Sequence, residues 1–453
     1  MRISRLFAAL LVSLVPTALA RSSTGDKVLV VMEPTLKAED YSLFFNNLRS
    51  RGYEVFFRAP NEKMPTTMSY DIPQFSHIIM FTPTAKNLEA DVGPQALFTL
   101  LKENPSTNIL VALSPKRTPM SDFAAEFNIG LPPPNTPLIS HFPPRSSPHT
   151  QLIINSPSKA HPLLSKNLPP VLFEGQAHLL GDNPLLFPIL NAPVESFSTD
   201  GTEDRRADSV VEASDKGGEG LWAGSKMSVV SGFQATNGAR IAFVGGVKLF
   251  SDEFAKAEVA PGKRSGNGQL AQDIAAWTFQ ETLVYKVDSA THFLEGDETR
   301  TEQEKYTTND RVTFTMEISQ FDPIKNKYIP KSDIQELQLE FTMLDPHIRT
   351  GLQAVADKPG TYSVTFRAPD RHGVFKFVVN HKRKGITPLQ VAMPVAVVPP
   401  RHDGYPRFLS AAWPYYIGAI STSVGFIFFC IVYLGAESAT ERKRKEKGKN
   451  KVE

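Results

Sequence analysis

The chain has 453 residues, a formal net charge of +2 and a single cysteine. This length has room for two or three domains held together by core burial alone, since one cysteine excludes an internal disulfide bond. The segment from Glu441 to the end contains seven basic and three acidic residues, so most of the remaining chain is net acidic. That charge distribution argues against nucleic acid as a partner.

The first twenty residues have the pattern of a cleavable signal peptide. Arg2 and Arg5 precede an apolar run at 6–15 that is too short to span a bilayer. Ala18 and Ala20 form a small-x-small signal, so we expect cleavage after Ala20. An uncleaved signal anchor is the alternative, and the short apolar run disfavours it.

Strands and helices alternate in the next region, which we assign to residues 21–292. Buried strands are predicted at 27–32, 53–57, 77–81, 109–113 and 240–247. Apolar residues at helical spacing predict three helices, marked by Tyr41, Phe44, Phe45 and Leu48, by Ala96, Leu97, Leu100 and Leu101, and by Leu270, Ile274, Trp277 and Val284. This order predicts an α/β domain with an open parallel sheet. Within it, the acidic residues 199–220 predict a flexible, exposed loop.

The apolar pattern changes to a period of two over residues 293–400. Alternating apolar residues mark two strands, namely Val312, Phe314, Met316 and Ile318, and then Leu337, Leu339, Phe341 and Met343. Prolines and glycines separate these from further apolar segments at 362–366, 374–379 and 389–397. Short strands at this spacing predict a β-sandwich, and residues 401–412 are assigned to a linker.

A second apolar segment, residues 415–435, contains no charge and is long enough to cross about 30 Å of hydrocarbon. Trp413 and Tyr433 near its ends are typical of the membrane interface. The basic residues that follow favour a cytosolic location. We therefore predict a transmembrane helix at 413–436, a cytosolic tail at 437–453 and a type I topology with the folded domains in the lumen.

Small residues are concentrated in the half of this helix nearer the lumen. Small side chains four residues apart let helices approach closely in lipid. We therefore predict that the helix packs against other membrane helices as well as contacting membrane lipid, through Gly418, Ala419, Ser421, Ser423 and Gly425. A simple lipid anchor is the alternative.

Two lysines near the C-terminus have the spacing of a dilysine retrieval signal. Lys449 and Lys451 are the fifth and third residues from the end. In a type I protein this predicts retention in the endoplasmic reticulum membrane. A generic basic flank of the membrane helix is the alternative.

Catalytic groups in open parallel sheets gather at the carboxyl ends of the strands, but no complete catalytic pattern occurs there. Glu33 follows the first strand as a lone carboxylate without an identified partner. Ser114 is flanked by Leu113 and Pro115, whereas a nucleophile elbow requires small neighbours. A thiol nucleophile is excluded because Cys430 lies in the predicted membrane helix.

Other candidate residues favour structural interpretations. The histidines are scattered, so no metal site is predicted. Gly245 and Gly246 predict a tight turn, with close approach to a ligand as the alternative. Ser251 followed by Asp252 predicts a helix N-cap in preference to a catalytic pair.

Several short motifs are similar to those of one known family. In the β-rich region they are 337–341, 344–346, 349–350, 362–364, 369–370 and 373–377. Elsewhere they are 239–240, 250–252, 405, 407–408 and 414–416. On these motifs the chain resembles the 48 kDa subunits of the oligosaccharyltransferase complex, in their fungal form, over nearly its whole mature length.

The resemblance implies a non-catalytic structural subunit of a complex that transfers an oligosaccharide from dolichyl diphosphate to asparagine in N-x-S/T sequences. The catalytic carboxylates and metal would belong to a different, multispanning subunit, and this chain would need no cofactor. Other implied partners are a ribophorin II-like subunit and a small DAD-type subunit. The resemblance also implies a glutamine-amidotransferase-like α/β fold without its nucleophile.

Two other functions stay open on the residues alone. One is an independent hydrolase-like enzyme, for which Ser114 is the candidate nucleophile. The other is a type I cargo receptor whose β-sandwich binds glycans.

Overall fold

The computed structural model describes residues 21–142, 148–155, 161–198, 222–401 and 408–449. The predicted signal peptide with its cleavage residue Ala20, the acidic segment 199–220 and Lys451 lie outside the described residues. Lys449 ends the last described helix, and its side chain is not described.

The first domain contains helices on both faces of a large sheet. Its described helices are α1 (Ser42–Ser50), α2 (Pro94–Glu103), α3 (Pro119–Glu126), α4 (Asp252–Lys256) and α5 (Asn267–Thr278). The nine strands of its sheet are β1 (Lys27–Met32), β2 (Glu54–Arg58), β5 (His77–Phe81), β6 (Asn108–Ala112), β7 (Ile129–Gly130), β11 (His178–Leu180), β12 (Leu186–Asn191), β14 (Met227–Gln234) and β15 (Arg240–Val244). Short strand pairs outside the sheet are β3 (Met68–Ser69) with β4 (Ile72–Pro73), β8 (Leu138–Ile139) with β13 (Phe197–Ser198), β9 (Leu152–Ile154) with β10 (Val171–Phe173), and β16 (Glu258–Ala260) with β17 (Lys263–Arg264).

The sheet is mixed, whereas the sequence predicted an open parallel sheet. Strands β2, β1, β5, β6 and β15 are parallel neighbours, as predicted. Beyond β15, the strands β14, β11 and β7 continue the sheet in antiparallel fashion, and β12 also pairs with β14. A tight turn between β14 and β15 permits only antiparallel pairing, because a parallel pair needs a longer crossover.

The central strands are buried on both faces, which explains their continuous apolar sequences. In β1, Val28 and Val30 face a core that includes residues of α1 and α5. The alternate residues Leu29 and Val31 face a second core that includes residues of α2 and α3. All four valine and leucine side chains are fully buried, and burial of each contributes about 1.5–3 kcal/mol to stability.

Helix α5 is shorter than its apolar pattern predicted. Leu270, Ile274 and Trp277 are buried as expected, but the helix ends at Thr278. Val284 therefore lies in the connection to the next domain and not on the helix. The backbone has positive φ angles at Gln280 and Leu283, of 57° and 56°, which no continuing α-helix allows.

The second domain consists of two five-stranded sheets that share one apolar core. One sheet contains β18 (Tyr285–Leu294), β20 (Arg311–Asp322), β21 (Lys327–Pro330), β24 (Gln353–Ala354) and β25 (Thr361–Arg367). The other contains β19 (Lys305–Thr307), β22 (Gln338–Thr342), β23 (Pro346–Gly351), β26 (Gly373–His381) and β27 (Leu389–Val398). We call this domain the β-sandwich. Strand β18 extends across the predicted domain boundary at 292/293.

The last helix, α6 (Trp413–Lys449), is longer than the predicted membrane segment. It continues through the basic residues 442–447, since lysine, arginine and glutamate are good helix formers. Its apolar part has a mean hydropathy of 2.1 and is exposed, so this described helix is long and apolar enough to cross a membrane.

Gly245 and Gly246 mark a crossing of two backbone segments. The Gly245 carbonyl accepts a 2.7 Å hydrogen bond from the Gln176 N–H, and a Cβ at Gly245 would overlap the Gln176 carbonyl oxygen. A Cβ at Gly175 would in turn overlap the Gly245 carbonyl. The absence of a side chain at Gly175 and Gly245 therefore permits close packing of the two backbone segments.

We expect Gly245→Ala to destabilise the fold by about 1–3 kcal/mol, because backbone must move to admit the methyl group. Thermal unfolding of the detergent-purified chain measures the effect. The control is Gly268→Ala in α5, where the nearest atom to the new Cβ is 3.9 Å away. That change should leave stability unaltered or raise it by up to about 1 kcal/mol. Equal stability of the two variants would contradict the proposed packing role.

Candidate functional site

The carboxyl edge of the parallel strands is the first candidate site. The chain passes from β1 to β2 on one side and then to β5 on the other, so a crevice opens beyond the ends of β1 and β5. A cavity of about 400 Å³ lies there, lined by Glu33, Thr35, Thr84 and Lys86 among others.

Glu33 is engaged by the loop beside it. Its carboxylate accepts hydrogen bonds from the Thr84 N–H at 2.5 Å, the Thr84 hydroxyl at 2.6 Å, the Thr35 hydroxyl at 3.1 Å and the Ala85 N–H. The side chain is only 4% exposed. A buried carboxylate with four donors anchors the loop after β5, and its oxygens are not free to act as a base.

Ser114 lies at the end of β6 in a second cavity of about 480 Å³. Its hydroxyl oxygen accepts a 3.3 Å hydrogen bond from the Lys116 N–H. Within the described residues, no hydrogen bond joins Ser114 to a histidine or a carboxylate, so nothing there activates it as a nucleophile. Gln176 also lines this cavity, and its buried Oε1 has no hydrogen-bond partner.

A serine and a histidine do meet elsewhere in the sheet. His178 Nε2 and Ser231 Oγ are 2.7 Å apart on the adjacent strands β11 and β14. Both side chains are fully buried, and burial lowers the pKa of His178 to about 3. The pair therefore holds a neutral imidazole without access to a substrate, and it is a packing contact.

Ser251 and Asp252 are both structural, as the sequence predicted for Ser251. The Ser251 hydroxyl accepts a 3.2 Å hydrogen bond from the Phe254 N–H and caps α4. The Asp252 carboxylate accepts hydrogen bonds from the Ser42 hydroxyl at 2.6 Å and the Leu43 N–H at 2.9 Å. Asp252 thus binds the N-terminus of α1, where the helix dipole favours negative charge.

A metal site is also lacking in the part of the chain that the structure describes. There, no three histidine, cysteine, aspartate or glutamate side chains come close enough together to hold an ion.

Arg240 is the most extensively hydrogen-bonded side chain near the contact between the two domains. It is fully buried at the start of β15. Its Nε donates to Gln234 Oε1 at 2.8 Å, and its Nη1 donates to the carbonyls of Trp277 at 2.8 Å and Thr282 at 2.7 Å. Its Nη2 donates to the Leu283 carbonyl at 2.8 Å and the Thr387 hydroxyl at 3.2 Å.

These contacts tie the end of α5, the connection after it and the β-sandwich to one side chain. The guanidinium also lies over the Trp277 ring, 5.2 Å from its centroid. Trp277 Nε1 donates a 2.8 Å hydrogen bond to the Gly385 carbonyl in the turn between β26 and β27. We call Arg240, Trp277, Leu283, Gly385 and Thr387 the junction cluster.

Burial of the charged Arg240 side chain has a high cost in solvation free energy. Burial lowers the pKa of Arg240 to about 9, so the group stays charged at neutral pH. Its hydrogen-bond partners among the described residues include no carboxylate, and the charge is balanced by carbonyl and hydroxyl dipoles and the indole ring. In the sequence, Arg240 appears only as part of a motif. An arginine at the start of an otherwise apolar strand is the signal that could have indicated its buried, connecting role.

Hydroxyl groups in the membrane helix are satisfied within the helix. Ser421 and Thr422 donate to the Gly418 carbonyl at 2.9 and 2.7 Å, and Ser423 donates to the Ala419 carbonyl at 2.9 Å. At 100° per residue, Gly418, Ser421 and Gly425 share one face, and the other two predicted packing residues, Ala419 and Ser423, lie to one side of it.

Comparison with known proteins identifies relatives over almost the whole chain. Residues 19–281 match the family model for the OST48 N-terminal domain, and residues 292–437 match the OST48 middle domain. Three curated relatives are named as the 48 kDa subunit of dolichyl-diphosphooligosaccharide–protein glycosyltransferase. That of Danio rerio is 31% identical, covering 90% of this chain and 92% of the relative. Those of Caenorhabditis elegans and Drosophila melanogaster are 30% and 29% identical, each covering 91% of this chain, and 92% and 91% of the relative.

We expect Arg240→Lys to destabilise the chain by about 3 kcal/mol or more, because lysine has three donors for five acceptors and leaves buried carbonyls unpaired. Thermal unfolding checks this. The control is Arg349→Lys, which alters an exposed ion pair with Glu340 and should change stability by less than about 1 kcal/mol. If both variants lost a similar amount of stability, the hydrogen bonds of the junction cluster would contribute no more than an exposed ion pair.

Proposed function

The chain belongs to the OST48 family, and on that premise we propose that it serves the dolichyl-diphosphooligosaccharide–protein glycosyltransferase as a non-catalytic structural subunit. The reaction supported is transfer of an oligosaccharide from dolichyl diphosphate to asparagine in N-x-S/T sequences of nascent proteins. The observation that carries the proposal is the junction cluster. In the described part of the chain, this is the most elaborate polar network near the domain contact, and it joins the two domains without bringing a nucleophile and a base together.

The candidate catalytic positions support the same function. Glu33 is held by four donors, and Ser114 has no base among the described residues. The independent hydrolase and the glycan-binding or cargo receptor receive no such support. The similarity of the α/β domain to glutamine-amidotransferase-like folds and the fungal character of the chain remain parts of the proposal that rest on the sequence motifs.

We further propose that α6 places the folded domains in the lumen of the endoplasmic reticulum. Support comes from the signal-peptide pattern ending at Ala20, from the basic residues after the apolar helix, and from Lys449 and Lys451 as a retrieval signal. The lumenal α/β domain at 21–292 and the lumenal β-sandwich at 293–400 would then form the bulk of the chain on one side.

The proposed partners are the catalytic multispanning subunit, a ribophorin II-like subunit and a small DAD-type subunit. Their membrane helices would pack against the small-residue face of α6. On this face Gly418 and Gly425 have no side chain to hold a neighbouring helix away, and the hydroxyls between them are already satisfied.

Purification of the tagged full chain in mild detergent tests this proposal. We expect other subunits of the transferase to be recovered with it, and recovery of the chain alone would overturn the structural role. Combined Gly418→Leu and Gly425→Leu should reduce that recovery, because leucine blocks close approach. The matched control, Ile417→Leu with Val424→Leu, alters a face that is already bulky and should leave recovery unchanged.

Ser114→Ala should leave protein N-glycosylation at the wild-type level, because its hydroxyl makes only a local hydrogen bond. Glycosylation of reporter sequons in cells that depend on the variant measures this. Arg240→Lys, produced in parallel, is expected to reduce the amount of assembled complex. Loss of glycosylation in Ser114→Ala with normal complex assembly would instead support an enzyme.

A further inference from the structure

The two ends of the β-sandwich have different neighbours. Strand β26 runs from Gly373 to His381, and the turn that follows places Gly385 and Thr387 against the α/β domain. At the opposite end, Gly373 pairs with Val397, one residue before β27 ends and the chain departs toward α6. One end of the sandwich is therefore the domain junction, and the other is where the chain leaves for the membrane helix.

Two neighbouring segments at this second end, the turn at 343–345 and the start of β26, expose apolar side chains. Leu344 is 91% exposed and Val374 is 61% exposed. Thr342 pairs with Lys376, so the turn at 343–345 lies beside the start of β26. A Cβ at Gly373 would be 2.6 Å from the Met343 sulfur, which places the two segments in contact. Leu344 lies at a turn tip, where side chains are normally polar, and Val374 is the second residue of β26. Together they form an exposed apolar pair that fits an apolar environment.

We propose that this end of the β-sandwich lies on the membrane surface, with Leu344 and Val374 inserted among the lipid headgroups. We call it the membrane-facing end; it comprises the turn at 343–345, residues 371–374 leading into β26, and the end of β27. The occupant is the bilayer interface, because the same end leads, through only fourteen residues after Val398, to the membrane helix at Trp413.

The surrounding charges are compatible with a zwitterionic headgroup layer. Arg371 and His372 are exposed in one turn, and Asp345 and Asp370 are exposed beside the apolar side chains. Cationic and anionic groups can both be solvated among phosphates and cholines, while apolar side chains reach about 5–10 Å into the boundary with the acyl chains. Attachment would thus depend on apolar burial more than on net charge.

The proposal implies a defined distance between the α/β domain and the lipid surface. Strand β26 has nine residues from the membrane-facing end to the junction end, which corresponds to about 30 Å. The β-sandwich would hold the α/β domain at roughly that distance from the lipid surface. The proposal depends on α6 crossing a bilayer, and it does not depend on which subunits assemble with the chain.

Site-specific fluorescence in nanodiscs of neutral phosphatidylcholine tests the proposal on the full chain purified with its partners. Cys430→Ser removes the native thiol, and Leu344→Cys or Val374→Cys is then labelled with an NBD fluorophore. The matched control is Ile324→Cys, which is 83% exposed and follows β20 at the junction end. Quenching is compared between lipids carrying a shallow nitroxide and iodide in solution.

We expect NBD at 344 and 374 to show blue-shifted emission and quenching by nitroxide lipid, and NBD at 324 to be quenched by iodide alone. Iodide quenching without lipid quenching at 344 and 374 would overturn the proposal and leave those segments in water. A blue shift without quenching by either agent would also overturn it, since a protein partner would then cover the segments. Leu344→Cys and Val374→Cys are separate variants, so misfolding of one leaves the other informative.

Discussion

The structure depends on burial of one guanidinium group. Arg240 is the first residue of β15 and is buried in the protein interior. Its guanidinium donates hydrogen bonds to the carbonyls of Trp277, Thr282 and Leu283. These carbonyls can converge on one side chain only if α5 ends and the following backbone turns sharply. The positive φ angles at Gln280 and Leu283 provide that turn. A buried charge without a carboxylate partner costs several kcal/mol if its acceptors are lost, so the geometry of the connection is strongly specified.

This specification passes from the helix end to the β-sandwich. Leu283 accepts from Arg240, and its carbonyl also accepts a 3.2 Å hydrogen bond from the Thr387 N–H. Trp277 contacts the same turn through the Gly385 carbonyl, so both sides of the β26–β27 turn are held. Buried polar networks of this kind fix a relative orientation because every alternative leaves groups unpaired. A contact made only of apolar side chains would define the orientation of the two domains less sharply.

Much of this architecture could be predicted from local patterns. Strands β1, β5 and β6 are continuous apolar runs, and α6 is a long uncharged segment followed by basic residues; neither requires knowledge of distant residues. Local patterns do not predict the antiparallel half of the sheet, because β7, β11 and β12 are short segments in a proline-rich region. Strands β11 and β12 pair with β14, far along the chain, and β7 pairs with β11. The apolar spacing predicts a helix that includes Val284, because spacing alone does not show that carbonyl contacts to Arg240 end the helix earlier. At the carboxyl edge, the sequence identifies no catalytic partner for Glu33, but only the structure shows the donors that hold it.

The carboxyl edge and the junction differ in how their polar groups are used. At the edge, the carboxylate of Glu33 is hydrogen-bonded by a neighbouring loop, and the hydroxyl of Ser114 has no activating partner among the described residues. At the junction, a charged side chain, an indole and several carbonyls form the contacts that hold the two domains together. Strands β26 and β27 then extend from this junction as a continuous antiparallel ladder from His381 to Gly373. Bending such a ladder would require many hydrogen bonds to distort together, so the two strands form a stiff element between the junction and the end at which the chain leaves the β-sandwich. The chain is therefore built to position one domain relative to another and to its own membrane helix.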